Sequence, residues 1–269
     1  MDMNIAAPRM MEIGGGAVAR IADVLNRIGV SRPLIVTDPM MVRLGLIARL
    51  TDPLDTAGIR YAIFSDTVAD PTDTVIEAGT AAARAGDFDC IIGFGGGSSL
   101  DTAKAVDILL AAEPGAKMRD FKVPVAADRP ALPLIAVPTT AGTGSEATRF
   151  TVITDTERDE KMLITGYGAL PYAAIVDYEL TLSVPPRTTA DTGIDAFTHA
   201  LEAFVSRRAN PVSDAYARAA MKLIGANLRT VYAEPGNRAA REAMMLGATL
   251  AGLAFSNASV ALVHGMSRP

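Results

Sequence analysis

The chain is poor in cysteine, in positive charge and in long apolar runs, and each shortage excludes a class of protein. Its single cysteine, Cys90, excludes an internal disulfide framework. The apolar surroundings, DFDCIIGF, predict a buried structural thiol, because a reactive thiolate needs a polar, electropositive neighbourhood. No apolar run approaches the length of about 18 residues that a transmembrane helix requires. A net charge of −5 argues against a nucleic-acid-binding surface, which is normally basic.

The chain does have enough apolar material for a large core. Hydrophobic residues make up 49% of its 269 residues, so we expect a folded protein with room for two domains. The first residues, MDMNIAAPRM, lack the charged-then-apolar pattern of a signal peptide. Together with the single cysteine, this pattern predicts a soluble, cytoplasmic protein.

In the first part of the chain, short apolar runs alternate with amphipathic stretches. This alternation predicts a parallel sheet with crossover helices. The predicted strands are residues 34–37, 61–64, 90–94, 132–137 and 174–176, with a strand pair at 150–154 and 161–165. The predicted helices are residues 40–57, 72–85 and 98–113.

After Val184 the pattern becomes helical. Pro185 and Pro186 open this region, and proline is favourable at the start of a helix because its missing N–H would be unpaired there anyway. Helices are predicted over residues 186–206, 211–232 and 237–257. We therefore expect an α/β domain over residues 1–182, followed by an all-α domain over 183–269.

A glycine-rich turn, GFGGGSSLDTAKA, follows the strand that contains Cys90. Glycines allow a backbone to approach a phosphate closely, and the N-terminus of the following helix offers N–H groups and a partial positive charge. The turn differs from the G-x-G-x-x-G fingerprint, since Ser98 stands at the last glycine position. It suits a pyrophosphate, and the alternative is a tight turn capped by serine.

A second polar loop, PTTAGTGSEAT, follows the strand LPLIAV. Thr139, Thr140, Thr143 and Ser145 lie where open α/β sheets bind ligands, at the carboxyl end of a strand. They could bind a cofactor's phosphates or ribose, or could belong to an ordinary capping loop.

Asp38 ends the strand LIVTD. A carboxylate in that position can accept hydrogen bonds from both ribose hydroxyls of an adenosine and repel a 2′-phosphate, which favours NAD over NADP. Unlike the acid of the Rossmann arrangement, Asp38 lies upstream of the glycine turn. Taken alone, it is better explained as the N-cap of the next helix.

The chain has only two histidines, and both fall in the helical region. Asp195 and His199, in DTGIDAFTHALEAF, are four residues apart and share one face of a helix. Such a pair can bind one divalent metal, or can form a simple side-chain hydrogen bond. His264, in the closing VHGMSRP, supplies a third ligand of suitable type.

Four of these motifs, GGGSSLDTAK, PTTAGTGSE, GIDAFTHALEAFVS and VHGMSRP, together resemble the iron-containing (group III) alcohol dehydrogenases of the dehydroquinate synthase-like superfamily. The resemblance implies a metal site at Asp195, His199 and His264 and a ribose-binding acid at Asp38. It implies a pyrophosphate loop at Gly95, Gly96, Gly97, Ser98 and Asp101. It implies that the cofactor cleft is lined by Thr139, Thr140, Thr143, Ser145 and Lys161.

The function implied by the resemblance is NAD-dependent and metal-dependent alcohol dehydrogenase or aldehyde reductase activity on a small alcohol or aldehyde, in a homodimer or higher homo-oligomer. The metal would be Fe²⁺, with Zn²⁺ as the alternative. The family's fourth metal ligand follows the HGM segment, whereas this sequence stops at Pro269. We therefore expect a partial helical domain that holds metal poorly. The alternatives are a non-catalytic NAD-binding fragment and a dehydroquinate synthase-type lyase.

Overall fold

The computed structural model describes residues 3–267, and its first part is a six-stranded parallel sheet. The strand order is β1-β8-β5-β4-β2-β3, and every neighbouring pair is parallel. The strands are β1 Met10–Ile13, β2 Pro33–Val36, β3 Ala62–Phe64, β4 Cys90–Gly95, β5 Leu134–Pro138 and β8 Ala173–Val176. The carboxyl ends of β2, β4 and β5 lie side by side, because these three strands are neighbours.

Helices cover both faces of this sheet. They are α1 Ile21–Ile28, α2 Pro39–Arg43, α3 Ala48–Thr56, α4 Asp73–Ala85 and α5 Gly97–Leu110. The central strand β4 is buried along its whole length, and alternate side chains enter opposite layers. Ile91 packs with α4 and α5, whereas Cys90, Ile92 and Phe94 pack with α1 and α3. Cys90 is buried in this core, as predicted, and burial raises the pKa of its thiol.

Two details of the α/β part differ from the sequence-based prediction. The single helix predicted over residues 40–57 is wrong, because α2 and α3 are separate helices. Gly45 lies between them with φ +67°, a left-handed conformation that an α-helix does not continue through. Strand β1 and helix α1 were not predicted. The antiparallel pair β6 Phe150–Asp155 and β7 Glu160–Thr165 is confirmed, and it forms a separate two-stranded sheet.

The second part is helical, as predicted. Its helices are α6 Pro186–Val205, α7 Pro211–Ala233, α8 Arg238–Ala258 and α9 Leu262–Ser267. Proline begins α6 and α7, and the side chains of Asn210 and Asn237 cap α7 and α8. Alanines such as Ala196, Ala200 and Ala248 fill the core between the three long helices. Within residues 3–267, none of the helices has the length and apolar character needed to cross a membrane.

Helix α8 joins the two parts of the molecule. It is buried along most of its length and packs against α6 and α7. Its Met245 packs with Ala174 and Val176 of β8. Its Thr249 donates a hydrogen bond of 2.7 Å to Glu146, in the loop after β5. The helical part therefore lies beside the carboxyl end of β5.

Candidate active site

The glycine turn between β4 and α5 contains three glycines with different requirements. Gly95 has φ +144°, and a side chain there would collide with Ser99. A Cβ at Gly97 would lie 2.7 Å from Thr143 Cγ2. Gly96 has an ordinary φ of −75°, and its Cβ would meet only Thr140, at 3.7 Å. The protein's own packing therefore requires glycine at 95 and 97, whereas glycine at 96 leaves open space.

That open space lies at the N-terminus of α5. Gly96 is the N-cap residue, and no side chain caps the helix. The serine cap considered from the sequence is therefore not what the structure shows. The uncapped first turn presents N–H groups and the positive end of the helix dipole, the features that bind a phosphate. A cradle that a Cβ at Gly96 would fill fits a pyrophosphate.

The loop after β5 lies against the glycine turn, where the Thr139 N–H donates to the Gly95 carbonyl at 2.9 Å. Thr140 and Thr143 are half-buried and lie beside Gly96 and Gly97. Thr139 and Ser145 are buried. Four of the predicted cofactor residues thus lie on this loop, but only the two half-buried threonines are open to a ligand.

Asp101 holds this second loop to α5. Its Oδ1 accepts a hydrogen bond of 2.8 Å from Ser145 Oγ, and its Oδ2 accepts one of 3.0 Å from the Val152 N–H. Both predicted cofactor residues, Asp101 and Ser145, therefore face each other. This contact joins the loop to α5, and Asp101 also lines a cavity beside Gly97 and Thr143, so the cofactor contacts of both residues stay predictions.

Lys104, which the sequence analysis missed, holds the same loop through hydrogen bonds from its side chain. Its buried Nζ donates to the Thr148 carbonyl (2.9 Å), to Thr148 Oγ1 (3.0 Å) and to the Phe150 carbonyl (2.9 Å). Burial lowers the pKa of Lys104 to about 8, against the pull of nearby carboxylates. Burial also raises the pKa of Glu146 in the same loop.

Asp38 is the N-cap of α2, as its local sequence predicts. Its Oδ1 accepts the N–H groups of Met40 (2.9 Å) and Met41 (3.1 Å). Its Oδ2 accepts a hydrogen bond of 3.1 Å from Ser99 Oγ, which brings the carboxylate to the glycine turn. Capping and a role beside the cofactor are therefore compatible, and the ribose contact stays a prediction.

Lys161 lies at the other side of the glycine turn. Its Nζ forms an ion pair of 2.9 Å with Asp70. Both residues line a cavity of about 190 Å³ together with Gly97, Ser98 and Thr143. A larger cavity of about 510 Å³ lies at the opposite, amino end of the sheet and contains none of these residues. Lys161 therefore lies beside the glycine turn, and its contact with a cofactor stays a prediction.

Asp195, His199 and His264 converge, with one potential ligand atom from each within 4.8 Å of the others. Asp195 Oδ1 lies 3.3 Å from His264 Nε2, and Asp195 Oδ2 lies 3.7 Å from His199 Nδ1. A divalent ion about 2 Å from each ligand requires ligand atoms roughly 3–4 Å apart. These two spacings and the donor set of one carboxylate and two imidazoles fit such an ion.

Aromatic stacking sets the plane of the His199 ring. His199 lies between His264 and Phe255, with ring centroids 4.2 Å from each and interplanar angles of 15° and 17°. Phe150 stacks behind Phe255 at 5.9 Å. Sequence reasoning missed both phenylalanines, because their role depends on how α8 and β6 pack around α6.

Glu202 is a further residue that the sequence analysis missed. It is buried on α6, and its carboxylate contacts His264 Nδ1. Burial works to raise the pKa of Glu202, yet hydrogen bonds from His264 and Val263 leave that pKa below its usual value. A hydrogen bond to Asp195, opposed by burial, raises the pKa of His264. The spacing of Glu202 from His199, three residues along one helix, is the only sequence signal that could have indicated it.

Comparison with known proteins gives the same family along both parts of the chain. The model for iron-containing alcohol dehydrogenase matches residues 8–178, and the model for the C-terminal part of that family matches residues 189–269. Long-chain-alcohol dehydrogenase 1 of Geobacillus thermodenitrificans is 42% identical over 268 residues, which cover 99% of this chain and 67% of the relative.

Comparison with solved structures agrees with these sequence matches. The structure of 1,3-propanediol oxidoreductase superposes with a TM-score of 0.94 at 36% identity, covering 99% of this chain and 69% of that one. The structure of sulfoacetaldehyde reductase of Bifidobacterium kashiwanohense in complex with NAD⁺ superposes with a TM-score of 0.89 at 35% identity. The match covers 97% of this chain and 68% of the reductase. This chain spans about two thirds of the length of these relatives. The chain belongs to the iron-containing alcohol dehydrogenase family.

Proposed function

We propose that this chain carries the cofactor-binding and metal-binding parts of an NAD-dependent, metal-dependent alcohol dehydrogenase or aldehyde reductase. The proposed reaction is reversible hydride transfer between a small alcohol and the nicotinamide ring. The observation that carries the proposal is the convergence of Asp195, His199 and His264 in a chain of this family. The cytoplasmic location and the homodimer expected from the sequence stay predictions.

The cofactor's pyrophosphate would lie on the open space at Gly96, against the first turn of α5. Thr140 and Thr143 are placed to donate hydrogen bonds to it, since both flank that space. Asp38, beside the same turn, would select the ribose hydroxyls of NAD against the phosphate of NADP. Lys161 would add positive charge at the open side of the cleft.

The three converging side chains would hold the metal. One carboxylate and two imidazoles suit Fe²⁺ or Zn²⁺, and the family favours iron. When bound, the ion supplies Lewis acidity that favours the alkoxide form of a substrate alcohol. Phe255 stacks on the His199 ring, Glu202 contacts the His264 ring, and Asp195 is the most exposed of the three side chains.

The experiment combines cofactor binding with turnover. NAD binding is measured by calorimetry, and turnover by NADH absorbance with primary alcohols, diols, hydroxy acids and lactaldehyde, after loading with Fe²⁺ or Zn²⁺. His199→Gln is the matched variant, because it removes a metal ligand far from the glycine turn. We expect it to keep NAD binding and to lose turnover. Turnover that is equal in His199→Gln and the unaltered chain would contradict the metal site.

A non-catalytic NAD-binding module is the second candidate. The observation that favours it is the exposure of α9, in which no described residue is buried although it carries His264. If the chain is such a module, it should bind NAD but show no turnover, whichever metal is added. A dehydroquinate synthase-type lyase is less well supported, since it requires a cluster of basic side chains around an acidic substrate, and the helical region has few candidates.

A further inference from the structure

Glu202 binds α9 at two points with one carboxylate. Its Oε1 accepts a hydrogen bond of 2.5 Å from the Val263 N–H. Its Oε2 contacts His264 Nδ1 and lies 3.3 Å from the His264 N–H. The residue is 4% exposed, so these donors replace the water that an ionised carboxylate would otherwise require.

This contact decides which nitrogen of His264 can act as a ligand. An ionised carboxylate only accepts hydrogen bonds, so Nδ1 must be the donor. The proton on Nδ1 leaves the lone pair of a neutral imidazole on Nε2. Nε2 is the atom that faces Asp195, at 3.3 Å. Without an ion, Nε2–H would donate to Asp195; a bound ion would replace that proton, while Glu202 keeps the other proton on Nδ1 and so leaves the Nε2 lone pair for the ion.

Apolar packing does not fix α9 in this position. Leu262, Val263 and Met266 are all exposed, and no residue of α9 is buried. The described contacts that hold the helix are those of Glu202, the contact of His264 Nε2 with Asp195, and the stacking of the His264 ring on His199. If Glu202 served only to hold α9 against α6, hydrogen bonds from the backbone N–H groups of Val263 and His264 would be sufficient. The additional contact with Nδ1 gives Glu202 a role in orienting the ring.

We propose that Glu202 is a positioning residue for the metal site: it fixes the tautomer and orientation of His264 so that Nε2 binds the ion. This inference rests on the metal site proposed above. Carboxylate partners of metal-binding histidines generally raise metal affinity about 10- to 100-fold. The inference therefore concerns affinity and ligand geometry, whereas the three ligands themselves remain Asp195, His199 and His264.

The test compares Glu202→Gln with the unaltered chain. Glutamine has the same shape, but Val263 N–H and His264 Nδ1 contact different oxygens of Glu202, and the NH₂ group that replaces one of these oxygens cannot accept a hydrogen bond. We expect Zn²⁺ affinity to fall about 10- to 100-fold and the visible spectrum of the Co²⁺-loaded protein to change. Asp191→Asn is the matched control on the same helix, because that carboxylate is exposed and pairs only with Arg187 among the described contacts. It should leave both measurements unchanged.

Asp195→Asn separates failure of this inference from failure of the metal site. If Asp195→Asn binds Zn²⁺ as tightly as the unaltered chain, the metal site itself is wrong. If Asp195→Asn loses Zn²⁺ while Glu202→Gln keeps the original affinity and Co²⁺ spectrum, only the role of Glu202 is overturned.

A second measurement does not depend on any variant folding. The chain has two histidines, so the ¹⁵N spectrum of the Zn²⁺-loaded, histidine-labelled protein can be assigned completely. Long-range N–H correlations should place the His264 proton on Nδ1. A proton on Nε2, with Nδ1 bound to zinc, would overturn the proposal.

Discussion

Gly144 and Gly252 meet backbone to backbone where the loop after β5 touches α8. A Cβ at Gly252 would lie 2.5 Å from the Gly144 carbonyl oxygen and 2.9 Å from its Cα. Gly144 also has φ +61°, which a residue with a side chain adopts at a cost. The contact joins the loop that carries Thr143 to the helix that carries Phe255. The proposed cofactor loop and the proposed metal site are therefore linked by one interface.

Gly252→Ala should disturb that interface. Overpacking of a tight core position costs about 1–3 kcal/mol, and here the obstacle is backbone, which yields less than a side chain. We expect a lower free energy of unfolding in urea and weaker NAD binding. Gly225→Ala on α7 is the control, since its Cβ would meet only Phe197, at 3.8 Å. That change should be neutral or stabilise by up to about 1 kcal/mol. Equal stability of the two variants would contradict the importance of the contact.

Gly96→Val should separate cofactor binding from folding. A Cβ at Gly96 would have no close neighbour, so we expect only the loss of about 1 kcal/mol that an apolar N-cap residue causes. The side chain would occupy the space proposed for the pyrophosphate, and calorimetry should detect no NAD binding. Gly97→Ala is the contrasting variant, because its Cβ would lie 2.7 Å from Thr143 and should destabilise the fold. Retained NAD affinity in a stable Gly96→Val protein would show that the glycine turn has only a structural role.

Asp38→Asn should relax cofactor selection while keeping the helix cap. Asparagine retains an acceptor for the Met40 and Met41 N–H groups, so α2 should keep its cap. Loss of the charge removes a strong ribose contact and a repulsion of the 2′-phosphate. We expect the ratio of NADP to NAD dissociation constants to shift in favour of NADP by roughly 10- to 100-fold, the effect of about 1.5–3 kcal/mol. Asp52→Asn, at an exposed position on α3, should leave that ratio unchanged. An unchanged ratio in Asp38→Asn would exclude Asp38 as the selecting residue.

Much of this fold could be predicted from sequence, because buried strands and amphipathic helices leave strong local patterns. Strands β2 and β4 are apolar runs, α6 and α7 begin at proline, and α8 begins directly after an asparagine. The break at Gly45 was missed, because its positive φ is a backbone property that an apolar pattern does not report.

The site was predictable only in part. Its ligands have distinctive chemistry and a motif spacing that resembles a known family. Glu202 and Phe255 are ordinary residues of helical segments, and their roles arise when α6, α8 and α9 pack together. Asp101 and Ser145 were predicted as cofactor residues, and the structure shows them bonded to each other. The motifs did not indicate this hydrogen bond, and the cofactor contacts predicted for Asp101 and Ser145 stay predictions.

Asp107 should give the chain a pH-dependent stability that an amide would abolish. Its buried Oδ1 accepts the N–H groups of Ala131 (3.2 Å) and Leu132 (2.8 Å), and Asp107 Oδ2 has no hydrogen-bond partner in the described structure. Burial raises the pKa of Asp107 to about 7, despite those hydrogen bonds. Between pH about 4 and 7 the folded protein holds a proton that the unfolded chain releases. The contribution of Asp107 to stability therefore falls as pH rises through this window, and its loss is complete above pH 7.

Urea unfolding at several pH values tests this prediction. Asp107→Asn should gain stability relative to the unaltered chain as pH rises from 5 to 8, by up to about 1.4 kcal/mol for each pKa unit. Any change that the buried amide itself makes to the free energy of unfolding is the same at every pH, and such a change does not affect how stability depends on pH. Asp66→Asn, at an exposed position, should show no such trend. Parallel stability curves for Asp107→Asn and the unaltered chain would exclude an elevated pKa for Asp107.

Metal binding should also slow hydrogen exchange in α9. This helix exposes Leu262, Val263 and Met266 and is fastened through Glu202 and His264, so its local opening should require little free energy. An ion bound through His264 binds the closed form alone and stabilises it by mass action. We expect Zn²⁺ to slow amide exchange in residues 262–267 far more than in α7, which carries none of the three ligands. His199→Gln should remove this effect of Zn²⁺, although exchange in metal-free α9 should itself be faster because the variant loses the stacking on His264. Equal exchange in α9 with and without saturating Zn²⁺ would mean that His264 does not bind the ion, even if Asp195 and His199 do.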